Sequence, residues 1–168
     1  FVNKLMKAQY GVDPMPETAE NVAMDFKIER AAQDRMGLAS QLKAITAQKA
    51  GFFDAEIVPV QGPQKKGEAL LVNRDEHPRA TTLEALAKLK GVVRPEGSVT
   101  AGNASGVNDG AAALLLMRES TATQRGLKPM ARIVSSAVHA QAPEWFATAP
   151  AGAIAKALSM DMRSEDRA

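Results

Sequence analysis

Val99-Thr-Ala-Gly-Asn-Ala-Ser-Gly-Val-Asn-Asp-Gly-Ala-Ala-Ala-Leu-Leu-Leu-Met117 is the stretch around which the rest of the 168-residue chain is read. It opens as a short apolar run and then carries Gly102, Gly106 and Gly110 at four-residue spacing among Asn103, Ser105, Asn108 and Asp109. It closes in a second apolar run, Ala111 to Met117. The pattern predicts a strand, a small-residue turn where backbone approaches something closely, and then a buried strand or helix. Familiar loop chemistries do not fit. No Lys-Ser/Thr pair follows these glycines as a phosphate loop requires. The glycines are wrongly spaced about Ser105 for a nucleophile elbow. The stretch is too polar and short for a membrane helix pair. Asn103-Ala104-Ser105 is a glycosylation sequon in a chain with no other sign of secretion. From the residues alone, a ligand-approach loop and a plain tight turn both stand.

The letters carry more than the spacing does. Residues 98–119, SVTAGNASGVNDGAAALLLMRE, resemble a signature of the thiolases, coenzyme A-dependent acyltransferases. Gln9-Tyr-Gly-Val-Asp-Pro-Met-Pro-Glu-Thr-Ala-Glu-Asn-Val-Ala23 and Asp75-Glu-His-Pro-Arg-Ala-Thr-Thr-Leu-Glu-Ala-Leu-Ala-Lys-Leu89 agree with the same family. The first is most similar to the branch acting on β-ketoadipyl-CoA and acetyl-CoA. The likeness extends over roughly residues 1–135.

The resemblance implies an α/β fold of two fused halves, each a βαβαβαββ layer, with a helical loop domain inserted to cover coenzyme A. On it, residues 1–97 are expected to be loop domain, 98–129 the end of the first half, and 130–168 the start of the second half with a divergent tail. This is a partial thiolase fold: mainly the helical loop domain, plus edge elements of the two layers. The implied chemistry is Claisen condensation or its reverse, thiolysis of a 3-oxoacyl-CoA, through a cysteine thiolate that takes the acyl group. A histidine activates that thiolate and a second cysteine moves the α-proton. Neither cysteine nor the G-H-P histidine has a counterpart in these residues, so no catalytic residue is assigned and the chain alone is expected to be inactive.

What maps is a binding wall for coenzyme A or acyl-CoA, the substrate; no covalently bound cofactor is implied. Arg79 matches an arginine near the nucleotide end, where a guanidinium suits phosphate and adenine. Ala101, Ala104, Ser105 and Gly106 match positions lining the pantetheine channel, Ser105 as a hydrogen-bonding group. Met15 matches a methionine near the acyl pocket. After Val138 the chain departs from the family: Ala140-Gln-Ala-Pro-Glu-Trp-Phe-Ala-Thr-Ala-Pro-Ala-Gly-Ala153 puts Phe146 in place of a methionine, crowding the acyl end. It also puts Ala147 and Ala149 in place of glycines, at about 1 kcal/mol each if those positions need positive φ.

Composition sets the bounds. Hydrophobic residues make up 45% but aromatics only 4%, and the 21 basic and 19 acidic residues leave a net charge of +2. Nucleic acid is not indicated. There is no cysteine, which excludes disulfides and thiolate ligands within these residues. No run spans a membrane and no signal sequence is evident, so a cytoplasmic setting is expected. His77, between two acidic neighbours and a proline, reads as a loop residue and not a metal ligand, and His139 reads equally blandly; no metal site is expected. Asn108 and Asp109 read as turn and capping groups.

Along the chain, residues 1–15 read as loop. Pro16 with Ala19, Val22, Ala23 and Phe26 predicts a helix over 16–27. A second, over about 30–50, is expected to bury Ala31, Leu38, Leu42 and Ile45, to start poorly at Glu29 and to stop at Gly51. Phe52 and Phe53 are expected to pack the returning chain. Glu56–Gln61 and Ala69–Val72 read as strands around a Gly62–Gly67 turn, the first at an edge because of Pro59. Thr81-x-x-Glu84 reads as a capping box for a helix near 82–89. Further elements are a helix 118–125 stopped by Gly126, a strand 131–138, a short helix 151–158 and a frayed tail from Met160. Sheet edges left without neighbours predict a homo-oligomer or a complementary thiolase polypeptide as partner.

Overall fold

The computed structural model describes residues 2–165. The chain divides into two compact units, one of Phe1–Val22 with Asp109–Ala168, the other of Ala23–Asn108.

In the second unit the long helix α3 is the spine. The helices before it are α1, Lys4–Tyr10, and α2, Met15–Asp25, and α3 itself is Arg30–Lys49. Glu29 occupies the N-cap of α3 without a side-chain cap bond. The helix ends in a Schellman motif, Phe52 N donating to Ala47 O at 3.0 Å and Gly51 N to Gln48 O at 3.1 Å, with Gly51 at φ 70°. Helix α2 ends the same way through Ile28 N to Ala23 O and Lys27 N to Met24 O, but there Lys27 takes the left-handed position at φ 53°. Beyond α3 the rings of Phe52 and Phe53 meet edge to face at 5.2 Å, Phe53 half-buried and Phe52 exposed. Strands β1, Val60–Gly62, and β2, Leu70–Val72, form an antiparallel hairpin with Gln61 opposite Leu71. Helix α4, Leu83–Ala87, is capped by the Thr82 hydroxyl, which accepts from Ala85 N at 3.2 Å. The cap therefore sits one residue beyond the expected Thr81. The Glu84 carboxylate is held below its usual range by its own backbone N–H and, secondarily, by the Thr82 hydroxyl.

The expected apolar face of α3 is corrected. Ala31 and Leu42 are exposed, and Leu38 and Ile45 only half-buried, while the buried residue is Asp34 at 4% exposure. Ala23, Leu86, Val99 and Thr100 are the other buried residues described in this unit, with 8%, 3%, 5% and 0% exposure. An isolated bridge from Gly91 to Thr100 and a bond from Val92 N to Val99 O close the 91–100 loop under it.

The first unit differs from expectation in four places. Residues 4–10 are helical because Asn3 Oδ1 accepts from Leu5 N and Met6 N, and Gly11 at φ 74° ends the turn. Ala111–Met117 and Ala131–Val138 carry no strand pairing; Leu114, Leu115 and Leu116 are 88%, 81% and 70% exposed. A strand is held by its neighbours' backbone, and neither segment has one among the described residues. Helix α5 is Glu119–Gln124, ended by Gly126 at φ 64°, and a 3-10 helix, Pro143–Thr148, leads into α6, Ala149–Glu165. Helix α6 thus runs well past the expected 158, and 166–168 lie outside the described residues. Ala147 lies within the 3-10 helix and Ala149 has φ −57°, so neither alanine is strained. Two bonds lash the 131–138 segment to α6, Ser135 Oγ to Ala157 O at 2.9 Å and Lys156 Nζ to Val138 O at 3.1 Å.

The accessible surface is 14454 Å² for 17.8 kDa. Large apolar side chains lie exposed in both units, Leu70 and Val107 in one and Leu114 and Ile133 in the other.

Candidate functional site

The loop Thr100–Gly106 is built by polar side chains. Asn103 Oδ1 accepts from Thr100 N at 2.7 Å, and Asn103 Nδ2 donates to Ser98 O at 2.9 Å and to Asp34 Oδ1 at 3.0 Å. Asp34 in turn pairs with Arg30, Nε to Oδ2 at 2.8 Å. The Arg30 Nη2 group reaches Leu86 O at 2.6 Å and Leu89 O at 3.1 Å, satisfying carbonyls at the C-terminal end of α4. One buried carboxylate therefore joins α3, α4 and the loop, and it is paired and hydrogen-bonded as a buried charge must be. Both amide hydrogens of Asn103 are committed, so the sequon is closed to a glycan in the folded chain.

The loop lies tight on α3. A Cβ on Gly37 would stand 2.8 Å from Gly102 O, so only glycine lets the helix approach here.

Across from α3 runs an irregular strap, residues 74–79, bent at Arg74, Glu76 and His77. Gln48 fastens one end, donating to Asp75 O at 3.0 Å and accepting from Arg74 Nη2 at 3.4 Å. Gln41, two turns earlier, fastens the other by accepting from Arg79 N at 2.8 Å. The Arg79 guanidinium reaches Ala101 O at 3.4 Å and remains solvent-exposed. The half-buried His77 ring stands against Gly106.

Between α3, the strap and the loop is a groove of about 410 Å³, lined chiefly by Gly37, Ser40, Gln41, His77 and residues 102–106. Its lining has no Asp, Glu, Lys or Arg. The site therefore combines a neutral hydrogen-bonding channel with a cation, Arg79, on the adjoining loop backbone.

Of the residues picked from sequence, Arg79 and Ala101 are in direct contact, and Ala104, Ser105 and Gly106 line the groove. Met15, the first residue of α2, is 65% exposed, and Phe146, in the 3-10 helix, is 38% exposed; both belong to the other unit. Sequence reasoning missed Arg30, Asp34, Gln41, Gln48 and the clamping role of Asn103. Two cues were present: Arg30 and Asp34 at i, i+4, and the glutamines at i, i+7 on one face of α3.

The family model "Thiolase, N-terminal domain" matches residues 2–120. The chain belongs to the thiolase family. It is 55% identical over 159 residues to a β-ketoadipyl-CoA thiolase of Acinetobacter baylyi, covering 94% of this chain and 40% of that protein. A 3-oxoadipyl-CoA/3-oxo-5,6-dehydrosuberyl-CoA thiolase of Escherichia coli is 49% identical over the same shares. Among solved structures, the Bacillus anthracis acetyl-CoA acetyltransferase superposes with a TM-score of 0.82 at 45% identity, over 88% of this chain and 37% of that one. Human mitochondrial 3-ketoacyl-CoA thiolase gives 0.81 at 41%, over 88% and 38%. The fold is thus a partial thiolase α/β fold, and the chain spans about 40% of the length of the relatives it matches.

Proposed function

We propose that this chain forms the coenzyme A-binding wall of a 3-oxoacyl-CoA thiolase of aromatic-acid catabolism, working in the cytoplasm on β-ketoadipyl-CoA or a similar thioester. The observation that carries the reading is the pairing of an uncharged groove with the exposed Arg79 guanidinium beside it. Coenzyme A has the same division of character: a neutral diamide arm and an anionic nucleotide end. In this reading Ser105, whose hydroxyl has no intramolecular partner among the described residues, bonds an arm amide, and Arg79 holds phosphate. Met15 and Phe146 are assigned to the acyl end, and residues 1–97, 98–129 and 130–168 to the loop domain and the two halves. The acyl-transfer step needs a cysteine, and these 168 residues contain none, so the chain shapes the site and other polypeptide completes it.

Calorimetry of the 168-residue chain with coenzyme A tests this. Heat of binding is expected, weakened in Arg79→Ala for coenzyme A but not for pantetheine. No heat at millimolar coenzyme A would reject the reading.

A second reading, an interaction module docking on a thiolase polypeptide or on another copy of itself, is favoured by the unpaired segments 111–117 and 131–138. Light scattering distinguishes it, since a clean monomer that stays monomeric when mixed with a cysteine-bearing thiolase half would reject a partner role.

A further inference from the structure

We propose that His77 is a ligand contact of the groove, hydrogen-bonding an amide of the neutral arm and so helping to set which arm chemistry the groove accepts. This rests on the reading of the groove as a coenzyme A site. The strap that carries His77 is fixed at both ends, by Gln48 on the Asp75 carbonyl and by Gln41 on the Arg79 N–H. Two side chains of the strap meet the loop directly, His77 against Gly106 and Arg79 on the Ala101 carbonyl.

The contact with Gly106 is close. A Cβ there would lie 2.5 Å from His77 Cε1 and 2.6 Å from Nδ1, so the glycine leaves room for this ring. The imidazole is half-buried and lines the groove, and neither of its nitrogens has a hydrogen bond among the described residues. A polar ring held at both ends of its segment, but unbonded at its own nitrogens, offers one donor and one acceptor to whatever lies in the channel. Ser40 and Ser105 line the same space with hydroxyls that also lack partners among the described residues. Amide groups, each a donor and an acceptor, match that set, whereas a phosphate finds no lysine or arginine among the lining side chains.

The test separates the arm from the nucleotide. Titrate the full chain and its variants with coenzyme A, with pantetheine and with adenosine 3′,5′-bisphosphate. His77→Phe keeps a ring against Gly106 and removes both nitrogens; it is expected to weaken coenzyme A and pantetheine about tenfold, one hydrogen bond's worth, and to leave the bisphosphate unchanged. His77→Gln is expected to recover most of the loss. In the wild-type chain, pantetheine is expected to shift the His77 side-chain nitrogen resonances and not those of His139, a readout independent of any variant's folding. Unchanged pantetheine affinity in His77→Phe, equal weakening of all three ligands, or unmoved His77 resonances with pantetheine bound would each overturn the proposal. A wild-type chain that binds neither coenzyme A nor pantetheine would instead overturn the reading of the groove beneath it.

Discussion

Replacing Asn103 by alanine removes three hydrogen bonds at once, and their values can be set against the stability of a small unit. The Thr100 N–H would lose its 2.7 Å partner inside a residue with 0% exposure, an unmet buried donor worth about 1–3 kcal/mol. The bond to the ionised Asp34 is charge-assisted and worth about 1.5–3 kcal/mol, although Arg30 remains to pair the carboxylate. Allowing for overlap between these terms, the loop should loosen by about 3–4 kcal/mol, a large fraction of the roughly 5–15 kcal/mol that holds a typical domain. Because the chain has two units, a single unfolding free energy is a poor readout, and the exchange rate of the Thr100 amide is a direct one. That amide should lose about two to three decades of protection. Asn103→Asp keeps the acceptor for Thr100 N but sets a second carboxylate against Asp34, so it should be comparably loose at neutral pH. Exchange at Thr100 slowed or unchanged to within tenfold in Asn103→Ala would refute the clamp.

Other outcomes follow from single positions. Lys27→Gly should firm the end of α2 by about 1 kcal/mol, read as slower exchange of the Ile28 amide that bonds Ala23 O, because Lys27 occupies the left-handed position at φ 53° where a side chain is strained. Gly37→Ala gains about 1 kcal/mol of helix propensity but sets its methyl 2.8 Å from a clamped carbonyl, so the overpacking cost of about 1–3 kcal/mol should win and lower the melting temperature. The Glu84 carboxyl, depressed by its own N–H and by Thr82, contributes to the start of α4 above the ordinary glutamate range near pH 4.3, and the contribution is lost as pH falls through the lower folded value. Carbon-13 titration should find it below other exposed glutamates, and Thr82→Ala should move it part of the way back up.

Helix ends were the most legible part of the fold. Gly51 and Gly126 stop α3 and α5, and Glu29 fails to cap, each as local chemistry dictates. Helix α1 was legible too, through Asn3 and Gly11, but its apolar residues face outward and gave no periodic signal to notice it by. The 131–138 segment read as a strand and 111–117 as a buried strand or helix because both are apolar, yet pairing and burial are properties of neighbours and no composition supplies them. Asp34 was invisible for the opposite reason: burial was sought among leucines, while the residue buried on α3 is a carboxylate whose partners lie up to 69 positions away. The loop's glycines were read as places of close approach, and Gly37, the matching glycine on α3, came to light only in three dimensions.

The open Ala111–Met117 run has a cost in handling. Seven consecutive apolar residues without charge or proline, with the three leucines at 70% exposure or more, form an exposed apolar window of the kind that draws chains into association. Asp109 and Arg118 bracket it as charged gatekeepers, and salt screens such charges. The shelf life of this chain is therefore governed by dilution and ionic strength, and concentrated, salty stocks are the ones that turn turbid.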